Sequence, residues 1–290
     1  MGLGGKRLRP MLTLLSYSLY KSNPRDVARY AIAVEAFHNF TLMHDDIMDN
    51  APLRRGHATV HEKWNVNTAI LSGDVMLVKV YELFHALDAP EFKSVIGSFN
   101  KCAAEVCEGQ QWDMEFERLT NVTEAQYIKM IRLKTAVLLG FSLELGGILG
   151  GASPEDRKAL YDFGVNIGIG FQLKDDLLDA FADPKKFGKQ VGGDIIANKK
   201  TFLLIKALEA APPKLKRELN RWISATRFNK KEKVQAVKQI YEDLNIPAIT
   251  EKKINSYFQK GFKSLQKVAG DAEAKERLKN FAEALIARQS

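Results

Sequence analysis

Residues 26–49, DVARYAIAVEAFHNFTLMHDDIMD, decide how the rest of this chain is read. Val27, Tyr30, Ala31, Val34, Phe37 and Phe40 recur at intervals of three and four, which is the apolar stripe of an amphipathic helix and not the alternation of a strand. The stripe runs without a break into Asp45-Asp46-Ile47-Met48-Asp49. In a helix the first and last of these carboxylates lie one turn apart on one face. Carboxylates are rarely buried unless paired or bound to a cation, so an acidic cluster inside an apolar helix points to a divalent-cation site. Asp175-Asp176-Leu177-Leu178-Asp179 repeats the spacing in a second apolar stretch. An N-cap or a solvated acidic face would account for one such cluster; the repetition favours a cation.

The same periodicity predicts helices over 70–87, 92–117, 123–150, 154–182 and 201–210, with shorter amphipathic helices closing the chain. Pro52 and Gly56 end the first Asp-bearing helix and open a basic loop, and residues 183–188 break the helix that carries the second cluster. No period-2 run with β-branched bias competes. The fold class is therefore all-α. No Pro/Gly/Ser-rich linker divides the 290 residues, so one large domain is expected. The hydrophobic share of 46% supports a sizeable core, and no uninterrupted run of about 18 apolar residues suggests an integral membrane segment. No charged-then-apolar signal segment opens the chain, which leads to the expectation of a soluble, cytoplasmic protein.

Cys102 and Cys107 do not have the spacing of a zinc site and are expected as free thiols, buried or partly so. The net charge of +8 is unevenly distributed: residues 212–290 hold 18 Lys plus Arg against 9 Asp plus Glu. The excess basicity belongs to the C-terminal helices. Lys-rich, aromatic-poor stretches such as 230–238 read as solvated faces, and no nucleic-acid partner is expected.

The chemistry suggested by the acidic clusters is phosphate handling. A few hard oxygen ligands suit Mg²⁺, whose coordination is usually completed by water and substrate phosphate oxygens. Positive charge lies close by in sequence. Gly4-Gly5-Lys6-Arg7-Leu8-Arg9-Pro10 combines glycines that permit close backbone approach with arginines suited to bidentate oxyanion binding, and Arg54-Arg55 follows the first cluster directly.

These residues resemble the signature blocks of trans-isoprenyl diphosphate synthases, also called polyprenyl synthetases. The blocks are Gly-Gly-Lys-Arg-Leu-Arg-Pro at 4–10, HNFTLMHDDIMDNAPLRRG at 38–56, Lys134-Thr135, GFQLKDD at 170–176, GKQVGGD at 188–194 and NKKT at 198–201. They occur in the family's order and spacing. The resemblance implies a single-domain helical bundle of the isoprenoid synthase type with a central substrate cavity, in a family whose members usually carry a leading helix ahead of the first block. It implies Mg²⁺, with three ions in the full substrate complex and Mn²⁺ able to substitute, and a homodimer for which 70–87 or 92–107 could supply the interface. If the two Asp-bearing helices face each other across the bundle, their clusters meet at one mouth.

The resemblance also assigns roles by position. Lys6, Arg9, His38 and Arg55 match positions that hold isopentenyl diphosphate, with Gly5 beside them. Arg54, Lys134, Lys189 and Lys199 match contacts to the allylic diphosphate, and Gln110, Thr135 and Gln172 match positions near its carbons and the diphosphate. Asp45, Asp49, Asp175 and Asp179 are the expected metal ligands. Asp46 and Asp176 join Asp45, Asp49, Asp175, Arg54, Lys134 and Lys189 in the catalytic set. No His base is required, because the family's departing diphosphate is thought to take the proton.

Product length is read from the helix before Asp45, where Phe40 lies roughly 7.5 Å and Phe37 roughly 12 Å inward. Long-chain members usually carry Ala at the position of Phe40 and Thr at that of Thr41; this chain keeps Thr41 but places a ring before it. With Phe37 and Tyr81 as further floor residues, the expected product is C15 to C20, geranylgeranyl favoured over farnesyl. A medium- or long-chain synthase is the alternative. A class I terpene cyclase would replace the second cluster by Asn/Asp-x-x-Ser/Thr-x-x-x-Glu and has no use for the Gly-Gly-Lys-x-x-Arg block. A non-catalytic regulatory subunit would have lost part of one cluster.

Overall fold

The computed structural model describes residues 4–182 and 191–287. Among these the chain is helical, apart from one two-stranded hairpin. The described residues form two compact units, one from 4–104, 138–164 and 265–278, the other from 105–137, 165–182, 191–264 and 279–287.

In the first unit α1 (Leu8–Tyr17) precedes α2 (Ala28–Met48), the helix of the opening stretch. Its inward stripe is as the spacing predicts, with Ala31, Val34 and Phe37 buried. The basic loop expected after Pro52 is instead a minimal antiparallel hairpin, β1 (Leu53–Arg54) with β2 (His57–Ala58). Arg55 and Gly56 both take positive φ, 55° and 78°, the conformation of a two-residue turn whose twist matches that of the strands it joins. A short α3 (Val60–Lys63) leads to α4 (Val66–Phe84), opened by Asn65 accepting from the Thr68 amide. The core is aromatic. Phe99 of α5 (Ala89–Arg118) lies with its ring centroid 5.0 Å from Phe37, 5.3 Å from Phe84 and 5.8 Å from Phe141.

The second unit holds α6 (Glu124–Ile131), started by a capping box between Thr123 and Gln126. Residues Arg132–Ala136 then form a π-helical turn; α7 (Val137–Gly150), which follows in the chain, belongs from residue 138 on to the first unit. The stretch Glu124–Gly150 is long and apolar enough to cross a membrane, with mean hydropathy 1.4 over its most apolar window, but 78% of that window is buried inside the protein, the setting of a core helix. α8 (Pro154–Phe181) enters the second unit at residue 165, and after it in the chain come α9 (Gly193–Ile196), α10 (Phe202–Ala210), α11 (Pro213–Ser224), α12 (Lys230–Asp243), α13 (Ile246–Lys267) and α14 (Ala272–Ala287), residues 265–278 belonging to the first unit.

Two expectations need correcting. Cys102 is buried, but Cys107 is exposed; both thiols are free. Lys233 is not part of a solvated face: it is 1% exposed, because it shares the inward stripe of α12 with the buried Val237, Ile240 and Tyr241.

Candidate active site

The first acidic cluster occupies the last turn of α2. Asp45 is half-buried and Asp49 exposed, one turn apart, whereas Asp46 is buried. A residue one place along a helix is rotated about 100°, so Asp46 cannot share the face of its neighbours. It faces the hairpin, where Arg54 donates through Nε to Asp46 Oδ1 at 2.8 Å and through Nη2 to the same oxygen. Asp46 and Arg54, expected respectively in the catalytic set and on the allylic diphosphate, are thus bonded to each other. Asp45 and Asp49 are the less buried pair.

The basic residues of the first block gather beside the hairpin. Arg55 donates to the carbonyl of Gly4, and a Cβ on Gly5 would come within 2.5 Å of the Arg55 guanidinium. Lys6 is exposed and Arg9 half-buried. Arg7 has left-handed backbone and donates to Glu35, a carboxylate 5% exposed that also accepts from Asn39 Nδ2. His38 sits in this field. Burial, followed by the charges of Arg9, Arg55, Arg54 and Arg7, pushes its pKa down to about 2, so the ring is neutral and adds no charge of its own.

The second cluster repeats the division of labour. Asp175 and Asp179 are half-buried and Asp176 buried. Asp176 accepts from the hydroxyl of Tyr127 and, at 3.0 Å, from Gln172 Nε2. Thr135 donates to Gln172 Oε1 at 3.3 Å, which brings two expected site residues together. Burial and the charge of Asp194 raise the Asp176 carboxyl well above the ordinary carboxylate range. Asp179 accepts from the Asp194 amide at 2.9 Å, at the N-terminus of α9. Burial and Asp194 raise it to about 6. After α9, Asn198 takes a left-handed conformation and presents the exposed Lys199. The buried Lys233 holds this corner, donating to Asn198 Oδ1 at 2.7 Å and to the Ile196 carbonyl at 3.3 Å.

Lys134 lies on the π-helical turn. Such turns are rare and frequent at functional sites. The turn lies against α5 at Gly109, where a Cβ would be 2.2 Å from the Lys134 backbone nitrogen, a separation that only glycine permits. Gln110 is the next residue, and Asp113, one turn on from Gly109, accepts from Lys134 Nζ at 2.6 Å. Burial alone would raise Asp113, but the charges of Lys199 and Lys134 outweigh it and hold the carboxyl below its ordinary value. Lys189 lies outside the described residues.

Of the expected chain-length residues, Phe37 is 1% exposed and belongs to the aromatic core. Phe40 is half-buried, its ring centroid 5.7 Å from Phe37 and 4.7 Å from His44. His44 rests on Gly73, where a Cβ would come within 2.4 Å of Nε2. The Thr41 hydroxyl is returned to its own helix, donating to the His38 carbonyl at 2.8 Å. Tyr81 donates to Asn100 Oδ1 at 2.7 Å and is 40% exposed.

Among the described residues no three His, Cys, Asp or Glu side chains converge as a complete cation cage. What each cluster offers is a pair of carboxylates one turn apart and less buried than the middle one. That fits Mg²⁺, which keeps several waters and takes its remaining ligands from phosphate.

Residues 1–244 match the polyprenyl synthetase family. A geranylgeranyl pyrophosphate synthase of Geoglobus acetivorans is 45% identical over 209 residues, which are 71% of this chain and 65% of that protein, so the chain spans slightly under two thirds of its length. A short chain isoprenyl diphosphate synthase of Methanocaldococcus jannaschii is 41% identical, over 83% of this chain and 72% of the relative. The crystal structure of a geranylgeranyl pyrophosphate synthase superposes with a TM-score of 0.95 at 46% identity, covering 100% of this chain and 89% of that one.

Proposed function

The chain belongs to the polyprenyl synthetase family, with its all-α isoprenoid synthase fold, and from that premise we propose that it is a trans-isoprenyl diphosphate synthase. It joins isopentenyl diphosphate to an allylic diphosphate by Mg²⁺-dependent head-to-tail condensation. The observation that carries this reading is the shared design of the two clusters: each sets two carboxylates one turn apart and less buried than their neighbour, Asp45 with Asp49 and Asp175 with Asp179, and buries its middle carboxylate against a protein donor.

Asp45 with Asp49, and Asp175 with Asp179, would hold Mg²⁺, which when bound supplies neutralisation of the charge that develops on a leaving diphosphate. Lys134 and Lys199 add positive charge to that diphosphate. Lys6, Arg9 and Arg55 hold isopentenyl diphosphate, and the neutral His38 lets their charge act on the substrate without adding a titrating group. Thr135 and Gln172, fixed to each other and to Asp176, line the reacting end of the allylic chain.

The product is C20, geranylgeranyl diphosphate. Support comes from the Phe40 ring one and a half turns before Asp45, and from the relatives of that activity. The protein acts as a cytoplasmic homodimer through α4, whose outward face shows Leu71, Val75 and Val78 at 65%, 58% and 57% exposure. Their spacing of four and three makes a continuous apolar stripe.

Incubation with Mg²⁺, labelled isopentenyl diphosphate and each of the C5, C10 and C15 primers, followed by sizing of the dephosphorylated products, tests both levels. Elongation ending at C20 is the expected result. No elongation of any primer would overturn the reaction class, and a longer product would overturn the length alone.

A further inference from the structure

The ion pair between Lys134 and Asp113 has an arrangement that a surface salt bridge lacks. Gly109 holds α5 in backbone contact with the π-helical turn, so Asp113, four residues on and on the same face, is carried to the Lys134 ammonium by the helix geometry itself. The two side chains are 22% and 16% exposed, dry enough for a strong interaction yet open enough for an anion to arrive. The charge of Lys199 acts on the same carboxylate. Asp113 therefore holds a negative charge against the very cations assigned to the allylic diphosphate, a role that rests on the function proposed above.

We propose that Asp113 is a built-in counter-ion of the diphosphate subsite: it keeps Lys134 aimed before substrate arrives and competes with diphosphate for the ammonium once it does. Its carboxylate weakens ground-state binding of diphosphate and, on the same account, eases release of the inorganic diphosphate product. A salt bridge that served only to join α5 to the π-helical turn would do neither.

The two roles separate in Asp113→Asn, which keeps an acceptor for Lys134 and removes the charge. Binding of inorganic diphosphate in the presence of Mg²⁺, measured by calorimetry, should tighten about twofold to fivefold, the scale of one removed charge contact at a partly exposed site. The gap should narrow at high ionic strength. The KM for the allylic substrate should fall while that for isopentenyl diphosphate stays put, and Asp113→Glu, which keeps the charge, should bind diphosphate nearly as the wild type does. Asp113→Ser serves as a second neutral variant should the amide destabilise the fold. Unchanged or weaker diphosphate binding in a folded neutral variant would overturn the proposal, as would failure of both neutral variants to fold, which would make the pair structural. Failure of the wild-type protein to elongate any primer would instead strike the underlying function, so the two are told apart.

Discussion

The phenol of Tyr127 donates to the carboxylate of Asp176 across 49 residues of sequence, with Tyr127 1% and Asp176 5% exposed. A buried carboxylate that loses a donor bears the desolvation cost of the lost partner. Tyr127→Phe keeps the ring and its packing, so it isolates the hydrogen bond. We expect a loss of about 1–3 kcal/mol in denaturant unfolding. A loss of under about 0.5 kcal/mol, the range of an ordinary surface change, would mean that Gln172 alone satisfies Asp176.

The split within the first Asp cluster makes a second expectation. Asp46 is bonded to Arg54 and buried, so Asp46→Asn should lower stability by about 1.5–3 kcal/mol, the scale of a charge-assisted hydrogen bond. Asp45→Asn and Asp49→Asn should raise the Mg²⁺ concentration needed for half-maximal turnover. Melting curves and Mg²⁺ titrations of the three variants make the comparison. Loss of the Mg²⁺ response at Asp46 and not at Asp45 or Asp49 would reverse the assignment.

His38 sets a pH dependence. Its folded pKa, near 2, lies below the ordinary histidine value of 6.5, so below pH 6.5 the unfolded chain takes up a proton that the folded protein refuses. Folding stability is therefore undiminished above about pH 6.5 and declines as pH falls, by up to about 1.4 kcal/mol per unit. His38→Gln should flatten this acid limb between pH 6.5 and 5, read from denaturant midpoints at fixed ionic strength. Parallel acid limbs in wild type and variant would exclude His38 as their source.

Much of this was legible in the sequence because periodicity reports burial. The stripe of residues 27–40 gave α2, and the four-residue spacing of Asp45 and Asp49 gave their common face. The middle carboxylates were harder, since their partners lie on other elements: Arg54 is turned toward Asp46 by a hairpin of two residues per strand, too short to show alternation. Tyr127 was missed although it precedes the buried Met130 and Ile131 by helical steps, and Asp113 although Gly109, Asp113 and Phe116 mark one face of α5. Lys233 was hidden by the lysines around it, while its spacing to Val237 and Ile240 carried the signal. The π-helical turn at Lys134, packed against Gly109 of α5, carries no mark that residue spacing could show.

Phe40 offers the sharpest test of product length. Its ring is half-buried between Phe37 and His44, so Phe40→Ala removes volume beside α2 without opening the aromatic core, which is centred on Phe99. Full burial would make the truncation cost about 3–5 kcal/mol; at this half-buried position a smaller loss is expected, and the variant should fold. Phe37→Ala, by contrast, cuts into the core at 1% exposure and should bear the full cost. If the growing chain runs along α2, Phe40→Ala gives it room for at least one further isoprene unit, seen as a shift of the dephosphorylated products to C25 or longer with turnover retained. A folded, active Phe40→Ala enzyme with an unchanged product distribution would place the floor elsewhere, with Tyr81 on the neighbouring α4 the next residue to truncate.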